Sequence, residues 1–228
     1  MTDLQSTSQP VIRGVAFDLD GLLFNTEDVF DMSGTELLRR RGKLMTHEIR
    51  VNMMGRRAPE AFDYLIKALE LTETMDDLIA ESELIFYEYL EVHLAPMAGL
   101  FELLAHIETC QLPKGVASSS RRLYVENILN RFELLPRMHY LLSGDDVTRG
   151  KPDPEIYLMA ADKLKIDPSE MIVFEDSEAG TKSAAAAGAY VVSIPHDHSR
   201  HHDFSKAHYI ASSLHDPFVL SLLLPVKS

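Results

Sequence analysis

The chain has 228 residues, 46% of them hydrophobic and 25% charged, which excludes a disordered or collagen-like protein. Lys and Arg number 22 against 35 Asp and Glu, and the net charge of −13 argues against broad nucleic-acid binding, which needs cations to neutralise phosphates. No apolar run approaches the roughly 18–20 residues of a membrane span, and the lone Cys110 excludes a disulfide framework or a cysteine-based zinc cluster. With no secretory signal visible in MTDLQSTSQP, we expect a cytoplasmic protein, monomeric, with neither a nucleic-acid nor a membrane partner.

The elements follow in chain order. Val11 to Phe17 reads as a strand buried on both faces, stopping at the acidic turn Asp18-Leu19-Asp20-Gly21. From Phe24 to Ala95 no strand is evident. A helix is expected from about Glu27 to Arg41 despite Gly34, and helical spacing recurs in Phe62, Leu65, Ile66 and Leu69 and in Ile79, Phe86, Leu90 and His93. From Pro96 onward helices and strands alternate. Helices are expected at about Gly99–Thr109, Arg122–Phe132, Pro154–Leu164 and Gly180–Ala187, the last ended by Gly188. Strands are expected at Gly115–Ser118, Tyr140–Ser143, Met171–Glu175 and Tyr190–Ile194, with a final helix within Phe218–Leu224. Such alternation implies an α/β fold, a parallel sheet with helices on both faces. We divide the chain into a core domain, 1–23 with 96–228, and an inserted helical domain, 24–95.

In open parallel sheets, ligands bind beyond the carboxyl ends of the strands. Those ends carry Asp18 and Asp20, then Ser118-Ser119-Ser120, then Gly144-Asp145-Asp146 with Lys151 further on, then Glu175 and Asp176. Two carboxylates at i and i+2 can divide the roles of nucleophile or metal ligand and proton donor. So many carboxylates in one place would repel each other without a cation, and Mg²⁺ prefers such hard oxygen ligands. Lysine and hydroxyl groups beside them suit phosphoryl transfer, where catalysis is mainly positioning and charge neutralisation.

The four segments Asp18-Leu19-Asp20-Gly21-Leu22-Leu23, Ser118-Ser119-Ser120, Gly150-Lys151-Pro152-Asp153-Pro154 and Val173-Phe174-Glu175-Asp176-Ser177 resemble, in this order, the motifs of the haloacid dehalogenase superfamily. Gly21 to Glu27, Met53-Met54-Gly55-Arg56-Arg57 and Gly144-Asp145-Asp146 most resemble its β-phosphoglucomutase-like branch, among the pseudouridine-5′-phosphatase and sugar-phosphate phosphatase families. The resemblance implies a Rossmann-like core with a small α-helical cap that opens and closes over a small phosphorylated substrate. It implies that Asp18 is the nucleophile and a metal ligand, and that Asp20 is the general acid and base, with its carbonyl on Mg²⁺. Ser118 and the Ser119 amide would hold the phosphate, Lys151 would bridge nucleophile and phosphate, and Asp176 would bind the metal. Glu175 would be a direct ligand or a supporting group. Arg56 and Arg57, in the helical insertion, would reach the substrate or simply start a solvated helix.

Other readings keep a place beside this one. A mutase needs a second phosphate grip in the insertion, and the branch's lysine and arginine there align with Met54 and Ala58, so hydrolysis is favoured. A phosphonatase would need a lysine for a Schiff base, and Lys67 stands on a solvated face. A non-catalytic protein on this fold would have lost Asp18, Asp20 or Lys151. His196, His198, His201 and His202 could bind a transition metal but read more simply as a polar loop. Cys110 reads as a buried apolar residue. Where many relatives carry aspartate this chain has Asn25, which bears on the junction of the insertion.

Overall fold

The computed structural model describes residues 10–53 and 58–225. Contacts divide the chain into two compact units, Met1–Phe24 with Pro96–Ser228 and Asn25–Ala95.

The first unit opens with β1 (Gly14–Phe17). The strand is shorter than its apolar run: Val11 is exposed, and paired residues begin at Gly14. Among its described residues the second unit holds four helices, α1 (Thr26–Arg39), α2 (His47–Met53), α3 (Ala58–Leu69) and α4 (Met75–His93). Gly34 lies within α1 without interrupting it. Leu37, Leu38, Ile49, Phe62, Leu65, Leu78 and Ile85 form this unit's buried core, each large side chain contributing roughly 1.5–3 kcal/mol. Thr74 caps α4 by accepting from the Asp77 N–H. The Arg41 guanidinium joins Glu73 and Glu81 at 2.7 and 2.6 Å.

Asn25 closes this unit at its two chain ends. Its Oδ1 accepts from the Ala95 N–H at 2.7 Å, and its Nδ2 donates to the His93 carbonyl at 3.3 Å. An aspartate would keep the first bond and lose the second, because a carboxylate has no N–H to donate.

The first unit resumes with α5 (Leu100–Thr109), β2 (Lys114–Ala117), α6 (Arg122–Arg131), β3 (Tyr140–Leu142), α7 (Glu155–Leu164), β4 (Met171–Glu175), α8 (Glu178–Ala186), β5 (Tyr190–Ser193), β6 (Tyr209–Ile210) and α9 (Pro217–Leu222). All strand pairings are parallel, and the order is β3-β2-β1-β4-β5-β6. The order reverses beside β1, the kind of place where open α/β sheets bind ligands. The two-residue β6 is too short to leave a periodic signal, and the sequence reading missed it. Gly188 ends the α8 segment with φ +87°, as expected of a C′ glycine. Every residue of β1, β2 and β4 is buried, and the apolar residues of β1 and β4 accordingly run on without alternating. Phe17 and Phe174, paired across β1 and β4, stack at 5.3 Å. Among the described residues, no helix is long and apolar enough to cross a membrane.

One buried cation sits in the sheet away from the carboxyl ends. Lys114 opens β2 only 2% exposed, its Nζ 2.9 Å from Glu108 Oε1. Arg137 grips both oxygens of the same carboxylate at 2.9 and 3.0 Å. These bonds, Arg137 foremost, hold the Glu108 carboxyl down at about 2. The group thus contributes stability above its unfolded value near 4.5, lost as the pH falls towards 2. Glu108 is 40% exposed and screened by water, but Glu108→Ala also takes the carboxylate from the buried Lys114 ammonium, so its cost at neutral pH is roughly 1–3 kcal/mol, between an exposed and a fully buried pair. Denaturant melts from pH 7 to pH 2 should show this gap narrowing below pH 4.5; a gap independent of pH would contradict it.

Candidate active site

The loop after β1 begins as an extension of the sheet, with the Asp18 N–H donating to the Phe174 carbonyl at 3.1 Å. It then turns sharply, and the Gly21 N–H donates to the Phe24 carbonyl at 2.9 Å. Gly21 has φ +76°, a region costly for residues with a Cβ. This turn delivers two acidic side chains to different surroundings.

Asp18 enters a buried charge array. Lys151 Nζ donates to Asp18 Oδ1 at 2.6 Å, to Glu175 Oε1 at 2.7 Å and to the Ala117 carbonyl at 2.9 Å. The lysine side chain is 5% exposed and Glu175 is fully buried. Burial acts to lower the Lys151 ammonium, but Asp18 and Glu175 outweigh it and hold it above its ordinary value. Burial pushes the Asp18 carboxyl well up; Lys151 opposes this, while Glu175, Asp176 and Asp20 add to it. A carboxylate here needs positive charge beside it to remain ionised.

The Lys151 loop is itself tied down. Glu155 accepts from the Thr148 and Arg149 N–H groups at 2.9 and 3.0 Å, and Ser183 on α8 donates to the Asp153 carbonyl at 2.6 Å. The Lys151–Pro152 peptide bond is cis.

Glu175 is saturated with donors. Its Oε1 accepts from Lys151 and, at 2.6 Å, from the Tyr157 hydroxyl; its Oε2 accepts from the Ser177 hydroxyl at 3.0 Å and from the Asp176 and Ser177 N–H groups at 3.2 and 3.4 Å. A Cβ at Gly180 would coincide with this carboxylate, so the first turn of α8 needs a glycine there. The Ser177 oxygen also caps α8 by accepting from the Gly180 N–H at 3.1 Å.

Asp20 lies apart from Lys151. Its Oδ2 accepts from the Ser120 hydroxyl at 2.7 Å and, more distantly, from Ser118 at 3.5 Å; its Oδ1 accepts from the Tyr124 hydroxyl at 3.0 Å. The Ser118 oxygen in turn accepts from the Ser120 N–H at 3.0 Å. Ser118 is buried at the end of β2, whereas Ser119 is exposed on the loop that follows.

One oxygen from each of Asp18, Glu175 and Asp176 lies within 4.8 Å of the others. These hard donors suit a divalent cation. Among the described residues no other three His, Cys, Asp or Glu side chains are so grouped.

The structure therefore brings Asp18, Lys151, Glu175 and Asp176 together and sets Asp20 and Ser118 in a neighbouring hydroxyl cluster. Arg56 and Arg57, with Met54, lie outside the described residues. Sequence reasoning missed four participants. Tyr157 and Tyr124 lie in helices whose pattern reads only as core packing. Ser120 was visible only as the third serine of a run. His196, whose Nε2 is 2.9 Å from Asp176 Oδ2, was submerged among neighbouring histidines. A buried tyrosine needs a partner for its hydroxyl, and that was the one available signal for Tyr157.

Comparisons with known proteins agree with this architecture. Residues 15–194 match the family model described as haloacid dehalogenase-like hydrolase. The chain is 35% identical over 186 residues to validoxylamine A 7′-phosphate phosphatase of Streptomyces hygroscopicus subsp. limoneus, covering 80% of this chain and 85% of that one. It is 29% identical over 181 residues to the phosphorylated carbohydrates phosphatase of Thermotoga maritima, covering 78% and 82%. A crystal structure of a HAD family hydrolase from Deinococcus radiodurans R1, with bound phosphate and sodium, superposes with a TM-score of 0.80 at 25% identity, covering 95% and 99%. With the parallel sheet and the motif residues Asp18, Lys151, Glu175 and Asp176 gathered beside it, the chain belongs to the haloacid dehalogenase-like hydrolase family and is an enzyme of that family.

Proposed function

We propose that the enzyme is a Mg²⁺-dependent phosphomonoesterase for a small phosphorylated metabolite, a sugar phosphate or a nucleoside monophosphate, acting through an aspartyl-phosphate on Asp18. The observation that carries this reading is the buried Lys151 ammonium, 2.6 Å from Asp18 and 2.7 Å from Glu175, beside the Asp18–Glu175–Asp176 oxygen cluster. Relatives named as phosphatases of phosphorylated carbohydrate and of validoxylamine 7′-phosphate support it.

In this reading Asp18 and Asp176, with the Asp20 carbonyl, would hold Mg²⁺, which when bound supplies charge neutralisation for Asp18 and the phosphate. Glu175, with five donors already on its oxygens, acts chiefly by orienting Lys151. The Asp18 oxygen attacks phosphorus and the ester oxygen leaves, taking a proton from Asp20. Water then attacks the phosphorus of the aspartyl-phosphate and gives a proton back to Asp20, releasing inorganic phosphate and restoring Asp18. The Ser118 hydroxyl, the Ser119 N–H and Lys151 bind phosphate oxygens as charge develops on them.

The division into a core, 1–23 with 96–228, and a cap, 24–95, belongs to the same proposal and is supported by the two compact units. So do a monomeric state and a small-molecule substrate, with no nucleic-acid or membrane partner, for which the net charge of −13 speaks. A single cysteine fits a reducing compartment such as the cytoplasm.

Phosphate release should be followed across sugar phosphates and nucleoside monophosphates, with Mg²⁺. Asp18→Asn should lower kcat by roughly 10³-fold or more, and EDTA should abolish release reversibly. Activity retained in either control would contradict the reading, and conversion of a sugar 1-phosphate to its 6-phosphate without release would assign a mutase instead. Gly180→Ala tests the packing behind the site. It should push the Glu175 carboxylate aside and lower kcat by about 10²-fold, the cost of a misplacement of about 1 Å. Wild-type turnover in that variant would show that Glu175 does not set the position of Lys151.

A further inference from the structure

His196 follows β5 and takes no part in the mechanism above. Its ring is largely buried, 13% exposed, with Nε2 2.9 Å from Asp176 Oδ2. On the other side of the ring, Nδ1 accepts from the His198 N–H at 3.2 Å. A ring nitrogen that accepts carries no proton, so the neutral imidazole holds its proton on Nε2 and donates it to Asp176. The turn after β1 is shaped around this bond. A Cβ at Gly21 would lie 2.6 Å from Asp176 Oδ2 and 2.7 Å from His196 Nε2. The glycine thus serves a second purpose besides its positive φ: it leaves room for the histidine–carboxylate pair. The main chain of the segment is pinned as well, the His196 N–H donating to the Ser199 hydroxyl at 3.1 Å.

We infer that His196 is a positioning residue for the metal site. By its hydrogen bond to Oδ2 it fixes the orientation of the Asp176 carboxylate, which contributes one oxygen to the group shared with Asp18 and Glu175. Groups that orient a ligating carboxylate commonly change metal affinity about 10- to 100-fold when removed. The inference rests on the proposed metal role of Asp176, so its test must separate the two.

Mn²⁺ binding to purified, folded protein, read from the electron paramagnetic resonance signal of the free ion, gives metal affinity without turnover. His196→Leu should weaken Mn²⁺ binding by about 10-fold. His196→Gln, whose amide Nε2 can still donate, should stay near wild type. Asp176→Asn should weaken binding further. At saturating Mg²⁺, His196→Leu should recover most of its kcat with KM for the substrate unchanged. Wild-type Mn²⁺ affinity in His196→Leu, with affinity lost in Asp176→Asn, would overturn the inference and leave the metal site standing. Equal losses in His196→Leu and His196→Gln would also overturn it. Undiminished binding in Asp176→Asn would instead defeat the metal reading itself. Should the leucine variant not fold, imidazole ¹⁵N spectra of the wild-type protein decide. An Nε2-protonated His196 whose resonances shift on adding Mg²⁺ supports the inference, and an Nδ1-protonated or Mg²⁺-indifferent ring overturns it.

Discussion

The arrangement of the site depends on one buried ammonium. Lys151 lies between Asp18 and Glu175 at 2.6 and 2.7 Å, almost out of reach of water. Three acidic groups crowded at the ends of β1 and β4 would drive one another towards protonation, and burial alone pushes Asp18 upward. The lysine supplies the fixed positive charge that allows the carboxylates to share the space. Its own burial is tolerated only because both partners hold it ionised. The aromatic ring of Tyr157 lies 4.9 Å from its Nζ and adds a weaker attraction.

From that constraint the surrounding structure follows outward. Glu175 must aim one oxygen at Lys151, so Tyr157 and the link between β4 and α8, Asp176 and Ser177, supply the remaining hydrogen bonds. Gly180 must lack a side chain to let the carboxylate in. Asp20, two residues from Asp18, is carried by the turn to the Ser120 and Tyr124 hydroxyls rather than to the lysine. Two aspartates in one short motif thus occupy unlike environments, the condition for dividing nucleophile from proton carrier.

Much of this was legible in the sequence because it is local. The strands of the core are runs of apolar residues, the acidic and hydroxyl residues stand where those runs end, and topology then brings the ends together. Asp18, Lys151, Glu175 and Asp176 could be placed by that argument, and the superfamily resemblance gave them roles. What escaped was set by three-dimensional complementarity. Tyr157 and Tyr124 look like core residues until their hydroxyls find carboxylates. Gly180 looks like an ordinary small residue in an alanine-rich helix until the Glu175 side chain is seen in its place. His196 differs from His198 only by what its ring faces. Strand β6 has two residues and no pattern to read. Asn25 raised a question that the structure answers, since its amide bridges the backbone at His93 and Ala95.

The proposed reaction makes a carboxylate oxygen of Asp18 the nucleophile on phosphorus. It is tested most directly by quenching the enzyme in acid during turnover of a good phosphate ester and mapping its peptides by mass spectrometry. The proposed reaction leaves a phosphoryl group on Asp18 that is lost on brief treatment with alkali, as an acyl phosphate is. Phosphate trapped on another side chain, or burst-phase release of the alcohol with no phosphoryl group on Asp18, would contradict it.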